Sequence, residues 1–131
     1  GGEIETGYGY GVYNNTGTVE LGDAKIKKHG VFNNAGTINI TGGEINVSSY
    51  RDGVTNWSKG TINISGGKII TSANGSSGVY NEGTINMTGG EITTKGGYDS
   101  GYANGIENYT GTVNIKEGTI TTLKSVRNYK W

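Results

Sequence analysis

The sequence predicts an all-β protein, a right-handed parallel β-helix (β-solenoid), that forms one domain over residues 1–131. Three observations predict it. A motif of three short strand-like segments recurs along the chain, glycines separate the segments, and apolar residues alternate with polar ones within each segment. With 26 glycines and only 31% hydrophobic residues, the chain cannot fill a thick globular core, whereas a thin core of stacked layers suits this composition.

The clearest copy of the motif runs from Gly78 to Thr93 and reads GVYNEGTINMTGGEIT. Its predicted strands are Val79–Asn81, Thr84–Met87 and Glu91–Thr93. Repeats start at 11, 30, 53, 78 and 105, so the first four are 19, 23, 25 and 27 residues long. Partial copies occupy 1–10 and 126–131. We therefore expect about five full coils with partial coils at both ends, and no helix. Because the added residues follow the third strand, that corner is predicted to be a surface loop.

The alternation within each strand predicts which side chains face the interior. In the segment Gly36–Ile40, Ile38 and Ile40 share one side and Thr37 and Asn39 share the other, and the isoleucine side must form the core. Coils about 4.8 Å apart, paired in parallel register, then give three aliphatic columns. Connections between parallel strands are nearly always right-handed, which predicts a right-handed coil. The predicted inward residues are Val12, Val31, Val54, Val79, Ile106 and Val126 from the first strands, Val19, Leu21, Ile38, Ile40, Ile62, Ile64, Ile85, Met87, Val113 and Ile115 from the second, and Ile26, Ile45, Ile69, Ile92 and Ile120 from the third.

An asparagine follows the inward residue of every first strand by two positions. This spacing places its amide inside the coil or at a corner, where stacked amides can hydrogen-bond from one coil to the next. The pattern therefore predicts an asparagine ladder with a structural role. Its members are Asn14, Asn33, Asn56, Asn81, Asn108 and Asn128.

The copies of GVYN…GTINMTGGEI resemble the degenerate repeats of bacterial secreted and surface proteins with pectin-lyase-like β-helices, including Gram-positive surface proteins and autotransporter passenger domains. The resemblance covers essentially the whole chain. It implies a right-handed parallel β-helix and an extracellular or cell-surface location. It does not select a function, because such repeats serve adhesins, polysaccharide-cleaving enzymes, phage tailspikes and passive stalks.

The sequence lacks the residue clusters that catalysis or metal binding on such a fold would require. Asp23, Asp52 and Asp99 fall in different turns and loops, whereas a polysaccharide lyase or hydrolase needs clustered carboxylates. The GGxGxD repeats of calcium-binding solenoids are missing. His29, the only histidine, is interpreted as an exposed loop residue. We therefore expect no enzymatic activity, no cofactor and no metal.

Charge and hydropathy argue against two classes of partner. Eleven basic residues balance eleven acidic ones, so no whole-molecule field attracts nucleic acid. No apolar run approaches the roughly 18 residues of a membrane-spanning helix. We expect neither nucleic-acid binding nor membrane insertion.

Two outward-facing surfaces leave a binding function open. One is a Thr-x-Asn array. It either resembles the flat hydroxyl faces of ice-binding solenoids or reflects only that threonine is a good outward-facing strand residue. The other is aromatic, and it predicts either a glycan-stacking face or rings that only stabilise the sheet by stacking on each other. The threonines of the array are Thr18, Thr37, Thr61, Thr84 and Thr112. The aromatic residues are Tyr13, Phe32, Trp57 and Tyr80, with Tyr109 and the loop residues Tyr98 and Tyr102.

The two ends of the sequence carry opposite charge. Residues 1–24 have a net charge of −4 and residues 116–131 a net charge of +3. This asymmetry, together with a mid-repeat start and stop, favours head-to-tail stacking of copies or continuation into flanking repeats. The expected stacking residues are Glu3, Ile4 and Glu5 at one end and Lys124, Val126, Arg127, Asn128, Lys130 and Trp131 at the other.

These patterns together predict a non-enzymatic structural unit of an extracellular bacterial fibre, stalk or adhesin. Its expected partners are copies of itself or flanking repeats of a longer chain. The alternative is a surface module that binds carbohydrate or, less favoured by the residues, ice.

Overall fold

The protein, described by a computed structural model over residues 1–96 and 103–122, contains only strands as regular structure within those ranges. None of the described residues therefore belongs to a helix long and apolar enough to cross a membrane. The strands are β1 (Glu3–Glu5), β2 (Val12–Asn14), β3 (Thr18–Leu21), β4 (Lys25–Lys28), β5 (Val31–Asn33), β6 (Thr37–Ile40), β7 (Glu44–Val47), β8 (Val54–Asn56), β9 (Thr61–Ile64), β10 (Lys68–Thr71), β11 (Val79–Asn81), β12 (Thr84–Met87), β13 (Glu91–Thr94), β14 (Ile106–Asn108), β15 (Thr112–Ile115) and β16 (Thr119–Thr122).

Every third strand along the chain pairs in parallel, so each coil contributes one strand to each of three sheets. Sheet A has the order β1-β4-β7-β10-β13-β16, sheet B has β14-β11-β8-β5-β2, and sheet C has β15-β12-β9-β6-β3. The register is the same at each step; in sheet C, for example, Ile38 pairs with Ile62, which pairs with Ile85 in turn. The predicted all-β solenoid with three strands per coil is confirmed. The hand of the coil stays a prediction.

The core is the narrow space enclosed by the three sheets. It is filled by the predicted inward residues, which are buried from Leu21 to Ile92, with Val12, Val19, Ile106 and Val113 partly buried against them. Ile115 and Ile120 keep their places in the columns but are about half exposed in the last described coil. Val126 lies outside the described residues. Equivalent residues of successive coils thus stack on each other and fill a thin core, which takes the place of a thick globular core.

The third strand has a second inward position, which the sequence analysis missed. Val47, Thr71 and Thr94 occupy it, and all three are buried. Threonine is accommodated because its hydroxyl bonds the neighbouring corner: the Thr71 hydroxyl donates to the Ser76 carbonyl at 3.1 Å, and Thr94 donates to the Ala103 carbonyl at 3.1 Å. Two of the three residues at this position are threonines, so it does not form a continuous apolar column and a search for repeated apolar residues misses it.

The corner after the third strand is not purely a surface loop, which corrects the prediction. Ser76 and Ser77 are buried, and the Ser77 carbonyl accepts a hydrogen bond from the amide of Gly53. The last two residues of this insertion therefore contact the preceding coil, whereas Ser72, Asn74 and Gly75 are exposed. The physical reason is that a lengthened corner still has buried polar groups that need partners.

The corner between the second and third strands requires glycine in the second, third and fourth repeats, whereas Ala24 occupies the equivalent position in the first. Gly43, Gly67 and Gly90 have φ angles of 74°, 80° and 83°, in the left-handed region that side chains disfavour. A Cβ atom on Gly43 would also lie 2.3 Å from the carbonyl oxygen of Ala24 in the coil before it. Positive φ and close coil stacking thus both exclude a larger residue.

Two adjacent isoleucines of β10 allow a matched test of the inward assignment. Ile69 is fully buried in the core, while Ile70 points outward and is half-buried. We expect Ile69→Ala to lower the free energy of unfolding by about 2–5 kcal/mol, because it leaves a cavity between coils. Ile70→Ala should lower it by less than about 1 kcal/mol. Urea unfolding followed by circular dichroism measures both, and equal losses would contradict the assignment.

Candidate functional surfaces

The first-strand asparagines form a buried ladder inside the coil. The Asn14, Asn33, Asn56 and Asn81 side-chain amides each donate to the side-chain oxygen of the next asparagine along the chain, at 2.9 Å in every case. The described part of the ladder ends with Asn108, and Asn128 lies outside the described residues. A continuous chain of amides satisfies polar groups that would otherwise be costly to bury.

The ladder depends on a glycine at the turn that follows each first strand. The Asn33 amide also donates to the Gly36 carbonyl at 2.8 Å, and the Asn56 amide to the Gly60 carbonyl at 3.0 Å. A Cβ atom on Gly60 would lie 2.2 Å from the Asn56 side-chain oxygen and 2.6 Å from the Asn33 amide nitrogen. Asparagine and glycine therefore form one structural unit in each repeat.

A second amide ladder runs along the outer face of sheet C. Asn39 donates to the Glu20 carboxylate at 2.7 Å, Asn63 to Asn39 at 2.8 Å, Asn86 to Asn63 at 3.0 Å and Asn114 to Asn86 at 2.9 Å. The sequence analysis identified this column but not its hydrogen bonds. The repeated Asn of the Thr-x-Asn segment was the available signal.

The predicted threonine column lies beside this outer ladder. Within the described part of the chain, its hydroxyls make no hydrogen bond to protein, and the pairing of sheet C keeps them in register: Thr18, Thr37, Thr61, Thr84 and Thr112. The face is therefore a regular array of hydroxyls and amides. Ice binding by this face stays a prediction.

Three of the four predicted glycan-stacking residues form one aromatic cluster. The rings of Tyr13 and Phe32 are parallel within 2° with centroids 5.1 Å apart, and Trp57 meets Phe32 edge-on at 4.8 Å. Tyr10, which the sequence analysis missed, packs on Phe32 at 4.9 Å. Phe32 lies on the outer side of β5 but is only 5% exposed, because these rings cover it. Its ring is occupied by its neighbours and cannot offer a free stacking face.

Arg51 completes the cluster from the inserted corner of the second repeat. Its guanidinium lies 4.8 Å from the Tyr10 ring centroid, and its Nη1 donates to the Tyr10 hydroxyl at 2.8 Å. This combines a cation–π contact with a hydrogen bond. No periodic signal marked Arg51, since it lies in a corner whose sequence differs between repeats.

Tyr80 does not join this cluster. In the outer column of sheet B, Thr55 stands between Phe32 and Tyr80. Tyr80 instead stacks on Tyr109 with centroids 6.4 Å apart, and its hydroxyl donates to the Glu82 carboxylate at 3.0 Å. Burial of the phenol and this hydrogen bond raise the pKa of Tyr80 to about 12. The predicted aromatic face is thus two separate ring groups.

Two carboxylates meet at Ser77, which sequence reasoning missed. The Ser77 backbone amide donates to Asp52 at 2.7 Å, and its hydroxyl donates to Glu107 at 3.1 Å. Burial raises the pKa of the Asp52 carboxyl; the Ser77 amide opposes the rise and the Glu107 charge adds to it. No group of three or more acidic or histidine side chains with the geometry of a metal site occurs among the described residues.

His29 is buried, which corrects the prediction of an exposed loop residue. It is 8% exposed, and its Nδ1 lies 3.0 Å from the Thr6 carbonyl oxygen, a distance at which the protonated nitrogen donates a hydrogen bond. The first coil is the shortest, so its corner carries no insertion that could lift the ring into solvent. His29 fastens residues 1–10 to the coil that follows.

The outer face of sheet A carries what we call the charge ladder, the column Glu3, Lys25, Glu44, Lys68 and Glu91. These residues pair in register, so the sign of charge alternates from coil to coil. Lys68 and Glu91 approach to 3.7 Å, and Lys27 and Glu3 to 3.2 Å. The alternation between Glu44, Lys68 and Glu91 was visible in the sequence, whereas its extension to Lys25 and Glu3 required the pairing of β1 with β4.

The residues expected to stack between subunits are described at one end only. Ile4 pairs with Ile26, and Glu3 forms its ion pair with Lys27 of the same chain, so part of the acidic charge predicted to attract another copy is neutralised internally. Lys124, Val126, Arg127, Asn128, Lys130 and Trp131 lie outside the described residues. Axial stacking therefore stays a prediction.

Comparison of the chain with protein-family models, with curated proteins and with solved structures gave no match.

The inner and outer ladders offer a matched test of the buried amides. Asn56→Ala should lower the free energy of unfolding by about 2–4 kcal/mol, because it leaves the Asn33 amide and the Gly60 carbonyl with fewer partners in a dry interior. Asn63→Ala, on the half-buried outer ladder, should cost less than about 1 kcal/mol, since water reaches this face and replaces the lost bonds. Urea midpoints of the two variants compare the costs, and similar values would contradict a structural inner ladder.

Proposed function

We propose that this chain is a non-enzymatic structural unit of an extracellular bacterial fibre, stalk or adhesin. Its coils stack either with those of flanking repeats or, head to tail, with another copy. The resemblance of the repeats to those of bacterial secreted and surface proteins supports the location. The fold supports the mechanical role, since the hydrogen bonds between strands all run along the axis of the coil.

The observation that carries this proposal is the repetition of one coil-to-coil interface. Each step joins the same three strand pairs, the same aliphatic columns and the same asparagine ladder. The bonds of the ladder all point in one direction along the axis, from each asparagine to the next. A further coil of the same kind therefore continues the arrangement, and a stack can grow without a new type of contact.

Electron microscopy of the purified protein over a range of protein and salt concentrations tests axial stacking. We expect unbranched filaments whose axial repeat matches the length of one chain, about 25–30 Å for five to six coils spaced roughly 4.8 Å apart. Glu5→Gln, which removes one negative charge from β1 and leaves the Glu3–Lys27 pair without a like charge beside it, should shorten them. Dispersed short rods at every concentration would exclude head-to-tail assembly and leave a segment of a longer stalk.

A carbohydrate-binding surface is the second candidate, and Trp57 is the observation that favours it. Its ring is 47% exposed, against 5% for Phe32, so it offers more free surface than that ring. Asn34 and Asn15, whose side chains bond each other at 2.8 Å, occupy the two preceding positions of the same column. An aromatic face beside amide groups is a combination that suits the apolar and hydroxyl faces of a sugar.

Retention on immobilised glycans tests this second candidate. Trp57→Ala should reduce retention at least tenfold if the ring binds sugar, because the stacking surface is lost. Tyr109→Ala provides the control, since Tyr109 is also exposed but has no comparable amide pair beside it. Equal retention of wild type and Trp57→Ala on every glycan tested would leave the aromatic cluster with only a stabilising role.

A further inference from the structure

We propose that the outer face of sheet A binds the same face of a second copy of this chain, side by side and antiparallel. This lateral pairing goes beyond the proposed function and does not depend on axial stacking. It rests on the charge ladder, on the neighbouring column of sheet A, and on the glycine-lined recess beside them.

The first argument is the alternation of charge along the rod. Glu3, Lys25, Glu44, Lys68 and Glu91 follow each other at steps of about 4.8 Å on one outer column, in which Glu44 is half-buried and the other four are exposed. Lys68 and Glu91 form an ion pair of 3.7 Å, yet their side chains remain 59% and 51% exposed. Each group therefore keeps capacity for a second opposite charge from outside.

The second argument is register. If two copies face each other antiparallel, with the two-fold axis midway between the coils of Glu44 and Lys68, Glu44 of each copy faces Lys68 of the other. Lys25 of each copy then faces Glu91 of the other, so four opposite-charge pairs form. Moving the axis by half a step, onto Glu44, places Glu44 against Glu44 and Lys25 against Lys68. The alternation thus penalises half-step shifts. A shift by a full step, to an axis midway between the coils of Lys25 and Glu44, also forms opposite-charge pairs but overlaps two coils fewer, so the central register buries the larger face.

The second outer column of sheet A is compatible with the same register. In it Asn46 of one copy faces Ile70 of the other, and Lys27 faces Thr93. No like charges meet. A parallel arrangement would instead set the two outer columns against each other and bring Lys25 opposite Lys27, and Glu3 opposite Glu5. Antiparallel pairing therefore avoids the repulsion that a parallel pair would create.

The third argument is shape. Beside the charge ladder, the corner glycines leave a recess of about 550 Å³, bordered by Lys25, Glu44, Lys68 and Glu91. Because Gly43, Gly67 and Gly90 carry no side chains, long side chains of a second copy can extend into the recess and approach backbone carbonyl groups. In the antiparallel register the two recesses face each other, as the two charge ladders do, so the recesses give the long ladder side chains room to reach opposite charges of the other copy.

The size of the face predicts how strong this pairing is. Five coils of four-residue strands give a surface of roughly 24 Å by 13 Å, or about 300 Å² per copy. That is well below the 800 Å² or so per partner of a standard stable interface. Pairing of single chains is therefore weak, and it strengthens when more coils are joined along the axis.

Small-angle scattering tests the proposal, because lateral pairing doubles the mass per unit length whereas axial stacking leaves it unchanged. At low ionic strength and about 1 mM protein, we expect the wild type to show a mass per unit length above that of a single rod. Raising the salt to about 0.5 M should reduce the association constant at least tenfold. A single-rod value for the wild type under all conditions would overturn the proposal.

Charge variants identify the face. Lys25→Glu/Lys68→Glu makes all five residues of the charge ladder acidic, and Glu44→Lys/Glu91→Lys makes the last four basic. Each variant alone should remain as single rods. An equimolar mixture of the two variants should pair. The control Lys59→Glu/Lys116→Glu changes the net charge by the same amount as Lys25→Glu/Lys68→Glu, but on exposed residues outside sheet A. It should pair like the wild type. Circular dichroism confirms folding of each variant. Failure of the mixture to pair, or equal loss in the control, would also overturn the proposal.

Discussion

Parallel, in-register stacking places each residue directly above its counterpart in the next coil, about 4.8 Å away. Each position in the repeat must therefore tolerate a copy of itself at close range. Isoleucine and valine do so through packing, and asparagine does so because an amide is both donor and acceptor. A glutamate does not, since like charges repel. This explains why Glu44 and Glu91 are separated by Lys68.

The same constraint explains how repeats of 19 to 27 residues keep a common register. Additional residues are accommodated at the corner after the third strand, where they do not displace the columns. Buried Thr71 and Thr94 then bond carbonyl groups of those inserted segments, so the insertions are anchored to the core. The repeats thus vary in length at this corner, while the three strands of each coil keep a constant register.

The two proposed directions of association depend on different chemistry. Along the axis, the proposed contact depends mainly on backbone hydrogen bonds, aliphatic columns and buried amides, to which the opposite charges of the two ends add a salt-sensitive attraction. Across the axis, the outer face of sheet A offers alternating charges, which are salt-sensitive and specific in register. A fibre built from both would have strong longitudinal and weak, selective lateral contacts. The aromatic cluster around Phe32 belongs to neither direction and stabilises the first three coils through ring contacts.

The repeat pattern predicts the solenoid, the strand positions within about one residue, the inward aliphatic columns and the asparagine ladder. Periodicity suffices for these because each is a property of one repeat copied to the next. Contacts between residues from non-equivalent positions became apparent in the folded coil alone. The burial of His29, the Arg51–Tyr10 contact, the Asp52–Ser77–Glu107 bridge and the separation of Tyr80 from Phe32 are of this kind. They depend on how corners of unequal length fold over the coils, and no repeated pattern encodes that.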